Sequence, residues 1–293
     1  ISQNVTAVTT EITEAVEKVS EAVVGITNIQ QVANNFWMQQ SGPQEVGSGS
    51  GVVYKIENNQ AYIVTNHHVV EGANQLEVTL ADGSKEEAQL VGSDVWTDLA
   101  VIVIDAKNVK VVAEFGDSEV LKVGETVIAI GNPLGLEFYG SVTQGIVSGK
   151  DRSVPVDLNN DGTSDWTTEV LQADAAINSG NSGGALVNIK GELVGINTAI
   201  ISNTGSYAGY SFAVPVNIVR KIVADLMDFG KVQRAMLGIS MQDITDALKK
   251  EKDLKTLDGV YVADVGKGGA ADKAGAKVGD VLVSINGEPV RKG

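Results

Sequence analysis

The chain has 293 residues, 43% of them hydrophobic, and carries a formal net charge of −15 at pH 7 with no cysteine. That many apolar side chains fill two or three packed cores and exclude a disordered chain, and the missing cysteines exclude a disulfide framework. The acidic balance argues against nucleic acid as a partner, because phosphate binding needs a basic face. No run approaches the roughly 18 consecutive apolar residues of a membrane span, and no basic-apolar signal opens the chain at Ile1; any leader or anchor is expected upstream.

The first predicted element runs from Thr10 to Ala22, where Ile12, Ala15, Val16 and Val19 recur at helical spacing among charged residues. Phe36, Trp37 and Met38 follow in a polar loop, as an interface or as simple packing. From Val23 to Pro215, short apolar or alternating runs are punctuated by turn signals, the pattern of a pair of β-barrels. The predicted strands of the first barrel are 23–27, 51–56, 61–65, 75–80, 86–93 and 99–104. Those of the second are 126–130, 142–148, 170–173, 185–188, 193–199 and 210–214. Asn58-Asn59, Asp82-Gly83 and Lys190-Gly191 read as tight hairpins. Past Pro215 the period changes: Val216, Val219, Ile222, Val223 and Leu226 form one helical face that Gly230 ends. A linker at 229–235 then leads into Met236-Leu237-Gly238-Ile239.

Three short segments carry the chemistry: Thr65-Asn66-His67-His68-Val69-Val70, Asp98-Leu99-Ala100-Val101 and Gly180-Asn181-Ser182-Gly183-Gly184. A serine hydroxyl is a poor nucleophile at neutral pH, so it needs an imidazole to take its proton and a carboxylate to orient that imidazole. Ser182, His68 and Asp98 supply these parts. Glycines around Ser182 let backbone N–H groups of Gly180 and Ser182 converge on an oxyanion. Each segment has a plainer reading: a flexible turn, a polar cap at a strand end, and a carboxylate opening a buried strand. The only histidines are His67 and His68, and without cysteine or an HExxH pattern a zinc site is disfavoured. Gly116-Asp117-Ser118 imitates the nucleophile motif but lacks the glycine pair, and reads as a surface turn with Asp117 or Ser118 capping a short helical turn.

One further segment is separate from these. Asp157-Leu158-Asn159-Asn160-Asp161-Gly162-Thr163-Ser164-Asp165 matches the first half of a calcium loop, with oxygen side chains at 157, 159 and 161, a glycine at 162 and a carboxylate at 165. Thr168 stands where an EF-hand has its bidentate Glu, so a solvated acidic turn is the competing reading.

In combination, these segments resemble the HtrA/Deg type of chymotrypsin-like serine protease. The resemblance extends through Gly49-Ser50-Gly51-Val52-Val53, Gly131-Asn132-Pro133-Leu134-Gly135, Gly145-Ile146-Val147-Ser148, Asp174 to Gly184 and Gly195-Ile196-Asn197-Thr198-Ala199. His67 departs from it, since Asn or Ala usually precedes the catalytic histidine in such proteins. Met236-Leu237-Gly238-Ile239, Gly259-Val260-Tyr261-Val262 and Val278 to Gly287 resemble a PDZ domain and its carboxylate-binding loop.

The resemblance implies a mainly β fold: two six-stranded antiparallel β-barrels, then a PDZ domain that looks truncated at Gly293. The implied division is an N-terminal helix, first strand and possible oligomerisation segment at 1–40, a trypsin-like protease domain at 41–228, and a partial PDZ domain at 236–293. It implies an oxyanion hole of Gly180, Asn181 and Ser182 backbone. In the chymotrypsin-like frame, Ala176 sits at the base of the primary specificity pocket, with Ile177 nearby and Asn197, Thr198 and Ala199 as its wall. Asp174 becomes a structural, hydrogen-bonded residue. With no carboxylate at the pocket base, cleavage is expected after Val, Ala or Ile. The implied activity is ATP-independent cleavage of unfolded or misfolded proteins in extracytoplasmic quality control, by a homotrimer built through N-terminal aromatics, with no required cofactor. A non-catalytic chaperone or peptide-binding scaffold is the alternative.

Overall fold

The computed structural model describes residues 8–31, 43–132, 141–156, 166–198 and 209–290. Helix α1 (Glu11–Val19) starts where Thr10 accepts a hydrogen bond from the Thr13 N–H while the Thr13 hydroxyl accepts one from the Thr10 N–H. This reciprocal cap satisfies donors that the first turn leaves without partners. Ala15 and Val19 are its buried residues. The helix is shorter than predicted, because the Ser20 hydroxyl donates to the Val16 carbonyl at 2.6 Å and the chain tightens into a 3-10 turn, Ser20–Ala22.

Strands β1 (Val23–Gln31), β2 (Pro43–Glu57), β3 (Gln60–Thr65), β4 (Gln75–Thr79), β5 (Lys85–Asp94) and β6 (Leu99–Asp105) close a first barrel in the order β1-β2-β3-β6-β5-β4. A single helical turn, α2 (His67–Val70), follows β3. Strands β7 (Thr126–Gly131), β8 (Ser141–Val156), β9 (Trp166–Ala173), β10 (Ala185–Asn188), β11 (Leu193–Thr198) and β12 (Ser211–Pro215) close a second barrel in the order β10-β11-β12-β9-β8-β7. Both barrels are antiparallel throughout. Asn58 and Asn59 turn the β2-β3 hairpin with φ of 51° and 62°, as the predicted tight turn requires.

The two barrels share a packed seam. In β7, Ile128 and Ile130 join the core of the first barrel, whereas Val127 and Ala129 join the core of the second. Side chains alternate across a strand, so a strand buried on both faces reads as the continuous apolar run Val127-Ile128-Ala129-Ile130. The same alternation divides Ala185 and Val187 from Leu186 in β10.

Helix α3 (Val216–Phe229) buries Val216, Val219, Ile222, Val223 and Leu226, the face that its spacing predicts, and ends on Gly230 at φ 67°. Its first turn corrects one expectation. Ser118 is buried, at 3% exposure, and its hydroxyl accepts from the Asn217 N–H at 3.2 Å. Ser118 therefore caps a helix distant in sequence, while Asp117, the other expected cap, accepts from the Glu119 N–H at 2.9 Å within the surface turn.

The chain divides into two units, Ile1–Val232 and Gln233–Gly293. In the second, β13 (Ile239–Asp243), β14 (Val260–Val265) and β15 (Val281–Leu282) form a sheet in that order, with β13 on its edge. Short helices α4 (Asp246–Glu251) and α5 (Ala270–Lys273) and a ribbon of β16 (Ser284–Ile285) and β17 (Glu288–Pro289) complete the described part. Its buried side chains include Val260, Tyr261, Val262 and Ala271.

Candidate active site

His68 lies on α2, directly after β3, and Asp98 lies at the turn into β6. The ladder pairs Thr65 of β3 with Ala100 of β6, which sets the two side chains against each other. The His68 Nδ1 is 2.8 Å from Asp98 Oδ2 and 3.0 Å from Oδ1, and the His68 N–H donates to Oδ1 at 3.0 Å. A carboxylate accepts only, so the proton of a neutral imidazole sits on Nδ1 and the Nε2 lone pair is left as a base. Across from the second barrel, the Thr198 hydroxyl donates to Asp98 Oδ2 at 3.1 Å. The Asp98 carbonyl accepts from the Asn66 side-chain amide at 2.9 Å and from the His67 N–H at 3.1 Å.

His67 faces elsewhere. Its Nδ1 is 3.2 Å from the Ser93 hydroxyl and its Nε2 3.7 Å from Glu71.

Ser182 is fully buried and follows a 3-10 turn, Ser179–Asn181. Its carbonyl accepts from the Ser50 N–H of β2 at 2.8 Å. A Cβ at Gly49 would lie 2.6 Å from Val69 and 3.1 Å from the Ser182 carbonyl, so only a glycine's width of backbone separates the residue after His68 from the candidate nucleophile. Gly183, at φ 83°, packs onto Ser50, Thr65 and Asn66, the stretch that leads into His68. Its N–H donates to the Asn197 carbonyl at 2.8 Å, which fastens the turn to β11.

The turn also separates the candidate oxyanion donors. The Asn181 N–H donates to the Asn178 carbonyl at 2.8 Å, so it is spent within the turn and does not face an oxyanion. Gly180 and Ser182 are the other two expected donors.

The specificity wall needs correction as well. Ile177 is buried in the core of the second barrel, and Asn197 is sealed at 0% exposure with its amide donating to the Ala185 carbonyl at 2.9 Å. Asn197 therefore faces the interior rather than a pocket. Thr198 serves Asp98 rather than a pocket, while Ala176 is half-buried, its carbonyl accepting from the Thr143 hydroxyl. Asp174 is structural, as expected, accepting from the Ile146 N–H at 2.6 Å. Ala199, the 157–165 loop and the Phe36-Trp37-Met38 stretch lie outside the described residues. Among the described residues, no group of three or more His, Cys, Asp or Glu side chains is placed to hold a metal ion.

In the second unit, the Leu237 carbonyl accepts from the Ala271 N–H at 2.9 Å and the Gly238 carbonyl from the Gly266 N–H at 2.7 Å. Because a trans peptide sets its N–H opposite its carbonyl, the Gly238 N–H points away from the 266–271 segment. Met236 is 84% exposed and Ile239 opens the edge strand β13.

Sequence reasoning missed two contributors, Ser50 and Asn66. Both are fully buried polar residues beside the site, Ser50 between glycines in a strand and Asn66 just ahead of the histidines. A polar residue in such a place needs hydrogen-bond partners, which is the signal that points to them.

Comparison with known proteins agrees with this geometry. Residues 49–196 match the trypsin-like peptidase domain family, and residues 261–293 match the PDZ domain family. The chain is 48% identical over 95% of its length to the serine protease Do-like HtrB of Bacillus subtilis (strain 168), of which it spans 62%. It is 42% identical over 85% of its length to a probable periplasmic serine endoprotease, DegP-like, of Rickettsia conorii, of which it spans 47%. The solved structure of the HtrA-type protease AlgW with decapeptide superposes with a TM-score of 0.79 at 34% identity, covering 97% of this chain and 88% of that one. With a trypsin-like domain whose His68, Asp98 and Ser182 segments converge, followed in sequence by a PDZ domain, the chain belongs to the family of HtrA-type, Do-like serine proteases.

Proposed function

We propose that the chain is a serine endopeptidase that cleaves unfolded or misfolded proteins without ATP, in extracytoplasmic protein quality control. The observation that carries the reading is the bond of His68 Nδ1 to the Asp98 carboxylate at 2.8 Å, with the next residue, Val69, only a glycine's width from the Ser182 carbonyl. The Ser182 hydroxyl attacks the scissile carbonyl while His68 Nε2 takes its proton. Negative charge on the carbonyl oxygen is met by the N–H groups of Gly180 and Ser182. The imidazolium, stabilised by Asp98, returns the proton to the leaving amine. Water activated by His68 then hydrolyses the acyl-enzyme. Ala176 leaves the pocket base uncharged, which suits Val, Ala or Ile before the cleaved bond.

The periplasmic naming of the Rickettsia relative supports an extracytoplasmic site of action. Trimerisation rests on the family resemblance and the Phe36-Trp37-Met38 stretch, and calcium binding on the spacing of oxygen side chains at 157–165. The exposed β13 edge beside Gly238 suits capture of a peptide C-terminus by strand addition.

The test is digestion of an unfolded protein by the parent chain and by Ser182→Ala, with products mapped by mass spectrometry. Loss of cleavage in the variant, with parental cuts after Val, Ala or Ile, supports the reading. Binding of the unfolded protein without cleavage by a correctly folded parent supports a non-catalytic scaffold instead.

A further inference from the structure

Ser50 is fully buried, and all its polar groups are engaged. Its hydroxyl donates to the Gly180 carbonyl at 2.7 Å and accepts from the Asn132 N–H at 2.8 Å. Its N–H donates to the Ser182 carbonyl at 2.8 Å, and its carbonyl accepts from the Thr65 hydroxyl at 2.7 Å. One residue of β2 thereby joins the end of β3 that leads to His68, the residue after β7, and both flanks of the candidate nucleophile.

The two backbone contacts survive any side-chain change, so the specific contribution of the serine is its hydroxyl. That hydroxyl holds the carbonyl of the Gly180-Asn181 peptide, while the N–H of the same peptide is held by the Asn178 carbonyl at 2.8 Å. A planar peptide gripped on both edges cannot rotate. Released on one edge, it pivots about Gly180, which has no Cβ to restrict its dihedrals. The Gly180 N–H lies on one side of that pivot and Ser182 on the other.

We propose that Ser50 is a positioning residue for the oxyanion hole: through the Gly180 carbonyl it fixes the turn that aims the Gly180 and Ser182 N–H groups at the developing oxyanion. The inference rests on the endopeptidase reading. It goes further by making a first-barrel residue, in contact with neither His68 nor Asp98 through any described hydrogen bond, a determinant of kcat.

The experiment compares the parent, Ser50→Ala and Ser50→Cys in peptide hydrolysis, fluorophosphonate labelling and thermal melting. In Ser50→Ala, kcat falls about 10- to 100-fold, the scale of a small misplacement of catalytic groups. KM and the shape of the pH profile stay at parental values, because substrate contacts and the His68-Asp98 pair are untouched. Labelling slows in parallel, since the probe's phosphoryl oxygen uses the same N–H groups. Ser50→Cys, nearly isosteric with a weak S–H donor, falls between the two. A folded Ser50→Ala with parental kcat overturns the proposal. So does a loss of kcat that comes with equal damage to KM and melting and that Cys does not relieve. Should Ser50→Ala fail to fold, Ser50→Cys decides: reduced kcat at parental KM supports the role, and parental kcat overturns it. A parent inert toward peptide and probe overturns the endopeptidase reading itself and the Ser50 role with it, a pattern distinct from failure in the variants alone.

Discussion

The side-chain amide of Asn66 donates to the carbonyl of Asp98 at 2.9 Å, and Asp98 holds a left-handed backbone at φ 52°. For a non-glycine residue that conformation costs roughly 1–2 kcal/mol, so it persists only where its surroundings impose it. Asn66 and the His67 N–H supply the constraint at the carbonyl, while His68 and Thr198 hold the carboxylate. Asn66→Ala is expected to lower stability by about 1–3 kcal/mol, the cost of leaving a buried partner unsatisfied, and to lower kcat as Asp98 relaxes. Calorimetry beside steady-state kinetics checks this; parental values of both would refute it.

The two histidines should separate cleanly. His68→Ala removes the base and is expected to lower kcat by on the order of 10⁴-fold or more. His67→Ala loses only its contacts with Ser93 and Glu71 and should leave kcat within a few-fold of the parent. The converse pattern would assign the base to His67.

Ser118 links two segments that the sequence keeps apart. Replacing it with Ala removes the acceptor for the Asn217 N–H and should cost about 1 kcal/mol, or roughly 2–4 °C in melting temperature. Peptide hydrolysis below the transition should be unchanged. A variant that melts with the parent would show the cap to be idle.

Tyr54 stacks on Phe115 at 5.7 Å between ring centroids, and its buried hydroxyl has no hydrogen-bond partner among the described residues. Burial pushes its ionisation well above the ordinary value of 10.0. The unfolded chain therefore gives up this proton first, and stability that is fully present below pH 10 falls as the pH rises beyond it. Tyr54→Phe should denature at higher pH than the parent and be as stable or slightly more stable at neutral pH, since an unpartnered hydroxyl is removed. An unchanged alkaline midpoint would contradict this.

The elements were legible where one strand carries its own pattern. Leu99 to Ile104 and Ala185 to Asn188 announce themselves by apolar runs, and the α3 face by its period. The extensions were not legible. β8 continues past Ser148 through polar Lys150, Asp151 and Arg152 because β9 pairs with it, and β2 begins at Pro43, before a Gly-Ser stretch that reads as loop. In that stretch Gly49 and Gly51 answer to tertiary crowding: a Cβ at Gly51 would lie 2.6 Å from Ile63. The site divides the same way. Ser182, His68 and Asp98 show in local motifs, but Thr198 meets Asp98 and Ser118 meets Asn217 across about a hundred residues, and no local pattern signals such a bond. The pocket wall failed because residue type does not say which face of β11 looks inward; Asn197 does, toward Ala185.

The most direct test of Ser182 as nucleophile is labelling of the folded chain with a fluorophosphonate, followed by peptide mapping. One phosphonyl adduct per chain is predicted, on Ser182, absent from Ser182→Ala and strongly slowed in His68→Ala. No adduct on a folded parent, or an adduct on Ser118 or another serine in its place, would contradict the account.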